Sequence, residues 1–418
     1  MNQNFDNQLF LEKQNKAANS TINILWIIFF CIYAVGINTI NFIPKLYFTF
    51  GMLLLTIFFV IVIFSMKISF RITLEKSLWG IYLLMLIFGS LVSIDTTLSI
   101  RYLLTFIPMY LILLLAENID QKAMRTSLFL LSVFSGIHVM MNIIFWINPI
   151  PQISILTKLY SGADLSNALG LIRANFLVGI TSDIGQNAFH ISVFMMCMFS
   201  YILTSKNKII PSILYILGII LLIGTTKRGL LIGNFLSIVG IVTIKYRKSL
   251  KKLFVYACII LIFIGLGWFF LNNLELTQVM LKKNEDYSGD VLNGRQYIYF
   301  SAIEAFKKQP LLGIGPNTTQ IVTGGNDAHN IYLQVLTETG IFGFVIFILA
   351  VIVTIYNSIK TLSKVEKTDN EAVCILALTY QMFFLVYGMS GNPLYNNSLL
   401  GMWFLSMIII ACCNKKVR

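Results

Sequence analysis

The residue types best suited to chemistry in this 418-residue chain gather between Arg295 and Gly343. His329 sits in Ala328-His329-Asn330 beside Asp327, and an imidazole that titrates near neutral pH is the natural general base for activating a hydroxyl. The spacing alone equally allows a surface histidine next to a helix start. Glu338 follows nine residues later, where it could orient the histidine or an arginine, or simply favour a helix start through the dipole. Upstream, Arg228 closes the short turn Thr225-Thr226-Lys227-Arg228-Gly229 between two apolar runs. A guanidinium is planar, permanently charged and able to hold two phosphate oxygens at once. Arg228, Arg295 and Arg173, with Lys227, therefore read as a phosphate clamp or, more blandly, as cations snorkelling to the headgroup level. Gly313-x-Gly315 permits a tight turn and is a weak signal by itself.

These residues must be positioned by a greasy scaffold. Hydrophobic residues make up 57% of the chain and charged ones only 12%, about half the share usual in a soluble fold, which points to an integral membrane protein. Apolar runs long enough to cross a bilayer lie near 22–37, 47–66, 78–94, 98–116, 126–147, 186–204, 209–226, 229–245, 253–271, 338–359, 371–390 and 396–413. Backbone groups in lipid must satisfy one another, so the expectation is an all-α bundle of about twelve transmembrane helices forming a single polytopic domain over 1–418. The polar lead of 21 residues lacks the short basic start and small-residue cleavage site of a signal peptide, so the first run is expected to remain as a helix. With both termini cytoplasmic, twenty of the thirty-one Lys and Arg fall on cytoplasmic segments, as the positive-inside bias requires.

That topology leaves two long outer segments, 148–185 and 272–337, the second between helices nine and ten. Within it Gly294 precedes a helix expected from Arg295 to Lys308, with Ile298, Ala302, Ala305 and Phe306 near one face that could lie on the membrane surface. Pro310 stops this helix. The net charge of +13 could suggest nucleic acid, but the basic residues are spread as membrane-flanking anchors for anionic lipid headgroups, and no nucleic-acid partner is expected. The six cysteines lie in or at the ends of apolar runs without zinc-site spacing. Of three histidines, His138 is placed to bridge helices by a hydrogen bond, and His190, one turn after Asn187 near the outer end of its run, could line the same cavity.

Taken in order, Thr226-Lys227-Arg228-Gly229, Arg295 followed by Pro310-Leu-Leu-Gly-Ile-Gly-Pro316, and Ala328-His329-Asn330-x-Tyr332-Leu333 with Glu338-x-Gly340-x-x-Gly343 resemble the O-antigen ligase and polysaccharide polymerase family. Arg173 to Asn187 is similar to that family's upstream motif, although Gln186 stands where the family typically has a proline. The motifs cover roughly 170–345. The resemblance implies a GT-C-like membrane glycosyltransferase in the bacterial cytoplasmic membrane, with an extracytoplasmic active site and no metal or other cofactor. Its substrates would be a glycan on undecaprenyl pyrophosphate and an acceptor glycan. A flippase and a chain-length regulator are compatible partners. His329, Arg228 and Arg295 are the catalytic candidates; Arg173, Lys227, Asn187, Asn330, Glu338, Gly313 and Gly315 are the binding candidates. The outer loops lack a DxD motif or a His/Asp ligand cluster. Polymerase, ligase and transport of lipid-linked sugars remain as readings, with the polymerase favoured.

Overall fold

The computed structural model describes residues 71–256 and 295–414, together with 20–27, 30, 56, 57 and 61. The runs expected near 22–37, 47–66 and 253–271, and the loop portion 272–294, lie largely or wholly outside the described residues. The other nine runs are helical. Numbered from Leu74, the helices are α1 (Leu74–Leu91), α2 (Thr96–Leu115), α3 (Gln121–Ile147), α4 (Ile150–Leu159), α5 (Gly162–Arg173), α6 (Ile184–Thr204), α7 (Ile209–Gly224), α8 (Arg228–Tyr246), α9 (Arg295–Lys308), α10 (Thr319–Val322), α11 (Ile331–Val365), α12 (Glu371–Tyr387) and α13 (Asn397–Cys413). Six of them are long and apolar enough to cross a membrane, and α7, α12 and α13 are shorter apolar helices.

Side-chain caps fix where several of these helices begin. Asp95, Asp183, Asn330 and Asn396 each accept backbone N–H groups from the first turn of α2, α6, α11 and α13. The bundle closes around Trp79 of α1, whose ring meets Phe347 and Trp403 edge-on at 6.1 and 5.9 Å while its Nε1 donates to Thr354 Oγ1 at 3.0 Å. The opposite character appears on the outside. Phe342, Val345, Leu349, Ile352 and Tyr356 recur at helical spacing along α11 and are all exposed, a stripe that water would penalise and lipid would not.

Short connections make neighbouring helices antiparallel, so the starts of α2, α6, α8, α11 and α13 share one end with the finishes of α1, α3, α7 and α12. Contacts across that end agree. Ile94 N donates to Ile314 O at 3.0 Å, and Ser99 Oγ donates to Pro316 O at 2.8 Å. At the other end Lys245 pairs with Glu371 at 2.7 Å, Lys76 with Glu117 at 3.4 Å, and Arg125 donates to Asn370 at 2.8 Å. The loops rich in Lys and Arg, those the charge bias assigns to the cytoplasm, lie at this second end.

Two expectations need correcting. The apolar face of α9 does not lie on a membrane surface: Ile298, Ala302 and Ala305 are buried, and Thr337 of α11 donates to Ala302 O at 3.2 Å. Covering that face with protein satisfies the same hydrophobic demand. The run expected from 338 begins at Ile331, because Asn330 caps the helix there and a break at Gly340 (φ 63°, ψ −170°) lets the chain turn without ending it. The second outer segment, 148–185, folds as α4, α5 and a loop around a small core of Leu156, Tyr160, Ala168, Val178 and Ile184.

Candidate active site

Three helix starts meet on one turn, Tyr387 to Gly391, at the finish of α12. Arg295 opens α9 and its Nη1 donates to Ser390 O at 3.4 Å. Gly229 lies one residue into α8, so close to this turn that a Cβ on it would be 2.7 Å from Ser390 Oγ and 3.5 Å from the Tyr387 ring. Ile331 opens α11, donating its N–H to Gly388 O at 2.8 Å, and Tyr332 Oη donates to Leu385 O at 2.9 Å. Arg228, Arg295 and His329 therefore flank one platform although 101 residues separate the first from the last. Lys227 and Arg228 are both exposed beside it. A guanidinium has five donors, and among the described residues Arg295 gives one of them to Ser390 O, so the others can serve an anion.

His329 is half-buried and adopts a left-handed backbone (φ 49°) immediately before the capping Asn330. Burial is the first cause that holds its imidazole below the usual range; the charges of Arg295 and Lys227 push the same way, and Asp327 opposes them. The ring is consequently neutral near neutral pH and can accept a proton. It also lies within electrostatic reach of two of the candidate cations.

The remaining residues of the Arg295–Gly343 region build the support. Glu338 is fully buried; its oxygens accept from Asn317 N at 2.6 Å, Thr319 N at 3.0 Å and Gln334 Nε2 at 3.1 Å. Gln334 in turn accepts from Ala328 N at 3.2 Å, so the carboxylate reaches the residue before His329 through one amide. Asn330 Oδ1 accepts from Tyr332 N and Leu333 N at 3.0 and 3.1 Å, which occupies it as the cap of α11. Gly313 and Gly315 pack backbone on backbone. A Cβ on Gly313 would reach 2.5 Å from Glu338 O, and Gly315 N donates to that same oxygen at 3.0 Å. These contacts seat 310–316 in the break of α11.

The upstream candidates behave differently. Asn187 exchanges a reciprocal amide pair with Asn142 of α3, both bonds 2.8 Å, and donates to Leu177 O at 2.9 Å. It latches the loop before α6 to the bundle. Arg173 is exposed at the finish of α5, four residues before Leu177, which packs on Gly224 beside the Thr225–Lys227 turn. His138 bridges α3 and α6 by stacking on His190, with centroids 4.1 Å apart, rather than through a ring hydrogen bond. Both rings are buried together inside the bundle, apart from the platform.

Sequence reasoning passed over Asp183, Tyr387 and Ser390. Asp183 carries a recognisable signal, an acidic cap before an apolar run, but nothing local distinguishes it from Asp95. Tyr387 and Ser390 gain their place only from tertiary contacts. Together the features define a helical membrane protein with cations and a neutral imidazole gathered at one end. Residues 213–348 match the family model described as O-Antigen ligase. The match takes in most of α7, all of α8, α9 and α10 and the first half of α11, hence Lys227, Arg228, Arg295, His329 and Glu338. No curated protein matches the chain.

Proposed function

We propose that the protein is a glycosyltransferase that joins lipid-linked oligosaccharide repeats into a longer envelope polysaccharide, with undecaprenyl pyrophosphate as the carrier. The observation that carries this reading is the meeting of the starts of α8, α9 and α11 on the Tyr387–Gly391 turn, which gathers Arg228, Arg295 and His329. An acceptor hydroxyl oxygen attacks the anomeric carbon as His329 takes its proton. The bond from that carbon to the phosphate oxygen breaks, and the lipid diphosphate leaves with the electron pair and settles against Arg228 and Arg295. Arg173 and Lys227 extend the positive field toward the approaching headgroup. Glu338, Asn330, Asn187, Gly313 and Gly315 serve this reaction by holding the loops in place. The site faces outward, with the Lys- and Arg-rich end in the cytoplasm.

Fixed cations on the leaving group are the larger contribution, so Arg228→Ala or Arg295→Ala should each cost about 2 to 4 kcal/mol of transition-state stabilisation, roughly 30- to 1,000-fold in rate. Transfer measured in membrane vesicles, at equal protein abundance, tests this; undiminished transfer in both variants refutes the clamp. The family description favours a second reading, ligation of a finished chain to a lipid or protein acceptor. Deleting the gene and sizing the glycans separates the two. Single repeats without polymer indicate a polymerase, whereas long chains accumulating on the carrier indicate a ligase.

A further inference from the structure

The turn that carries Lys227 and Arg228 touches two walls. On one side the Lys227 side chain runs along the start of α6: a Cβ on Gly185 would lie 3.8 Å from Lys227 Nζ and 2.8 Å from Asp183 Oδ1. On the other side Gly229 rests on Tyr387. Asp183 and Tyr387 thus stand on either flank of the same three residues. Asp183 Oδ1 is occupied by the N–H groups of Gly185 and Gln186 at 2.7 and 3.2 Å, and the carboxylate is half-exposed.

Tyr387 is fixed in orientation. Its ring stacks nearly parallel on Phe383, 5.6 Å between centroids at 13°, and is packed by Gly229 and Gly391. Its hydroxyl makes no hydrogen bond to the described residues and lies within electrostatic reach of both Asp183 and Arg295. A carboxylate in a cluster of cations is a poor neighbour for a diphosphate and a good acceptor for a neutral hydroxyl. A rigid phenol beside it supplies a donor and an acceptor to the same guest.

We propose that Asp183 and Tyr387 form the subsite for the attacking sugar, hydrogen-bonding its hydroxyls beside the cationic site that holds the leaving group. This rests on the glycosyl-transfer reading above and assigns the two halves of that site to different substrates. Water, which needs no such subsite, can still reach the anomeric carbon when the acceptor is poorly held.

The test uses vesicles containing the full-length protein and the native lipid-linked glycan extracted from the source cells, with two products measured: glycan joined to glycan, and free glycan released by water. Asp183→Asn keeps the cap of α6 because asparagine caps as well as aspartate, and Tyr387→Phe keeps the ring stack. Each variant should lose joining by about tenfold or more, as expected for a hydrogen bond lost at a charged site, while release by water stays within about twofold. Raising the glycan concentration should recover part of the joining. An unchanged ratio of joined to released glycan in both variants, or an equal fall of both products, overturns the assignment. Arg295→Ala should lower both products together; if vesicles with the unaltered protein neither join nor release glycan, the glycosyl-transfer reading fails instead. Should Asp183→Asn not reach the membrane, Tyr387→Phe decides alone.

Discussion

Gly340 offers the sharpest test of how the site is built. Its backbone (φ 63°, ψ −170°) lies in a region open essentially only to glycine, and a side chain there costs on the order of 1 to 3 kcal/mol in backbone strain alone. A Cβ would also press into the carbonyl of Leu311 and lie 2.6 Å from Leu312 N, both of them backbone atoms. Relief requires moving 310–315, which is stitched to α11 by Ile341 N to Pro310 O at 2.8 Å, Ile314 N to Thr337 O at 3.1 Å and Gly315 N to Glu338 O at 3.0 Å. Losing even two of these bonds adds about 1 to 3 kcal/mol, so Gly340→Ala should cost roughly 2 to 6 kcal/mol. Gly324→Ala is the control. Its φ is also positive, at 74°, but no atom lies within 4 Å of the added methyl, and the expected cost is about 1 to 2 kcal/mol. Thermal midpoints of the detergent-purified variants, followed by monodisperse size-exclusion recovery, measure the difference. Equal midpoints for the two would refute the claim that close backbone packing at the α11 break holds the loop.

The pH profile of transfer should be flat through neutrality and fall only on the acid side, below the usual imidazole range, because His329 must be neutral to accept a proton and burial, Arg295 and Lys227 all favour that form. Lys227→Met removes one of those causes, so its acid limb should move to higher pH; a limb that stays in place, or moves to lower pH, excludes His329 as the titrating group. Asn187→Leu should cost about 1 to 3 kcal/mol by leaving the buried Asn142 Oδ1 without its donor, although Asn142 Nδ2 keeps its bond to His138 O at 2.7 Å, and the double change with Asn142→Leu should recover part of it, as read from thermal midpoints. Asn330→Asp and Asn330→Ser should keep α11 capped and active, whereas Asn330→Ala should lose about 0.5 to 2 kcal/mol of stability; equal midpoints for all three would remove the capping role.

What the sequence disclosed divides along physical lines. Bilayer-length apolar runs are a strong local signal, and α9 was legible to the residue because Arg295 to Lys308 lies between Gly294 and Pro310. The individual polar residues near the site were legible as types. Their division of labour was not: His329 and Glu338 both read as chemistry, yet one is half-exposed on the platform and the other is sealed under Asn317 and Thr319. Depth of burial is set by which helices pack on which, and that is absent from local spacing. The same applies to the apolar face of α9, since a stripe sized for a membrane surface looks identical to one sized for α11. Tyr387 at the finish of an apolar run, followed by Gly388 and Gly391, reads as an ordinary helix end until three other helices arrive on it.

The meeting of helix starts also bears on why the site could dispense with long-range steering once a substrate is seated. Helix starts present unpaired N–H groups and a partial positive charge. Asp183 and Asn330 consume part of that at α6 and α11 by capping them. At α8 the capping position is Lys227, which makes no side-chain bond to the first turn; Arg228 N donates to Thr226 O and Leu231 N to Lys227 O, both at 3.2 Å, while the Gly229 and Leu230 amides between them donate to none of the described residues. An anion held there would gain guanidinium and backbone donors on one rigid element, with little reorganisation as charge develops. On that argument Arg228→Lys should retain more function than Arg295→Lys, since lysine at the start of α8 still sits beside the Gly229 and Leu230 amides, whereas at Arg295 it would lose the forked geometry that lets one nitrogen bind Ser390 and leave others for the substrate. Comparable losses in the two lysine variants, measured as vesicle transfer rates, would show that the α8 amides contribute nothing.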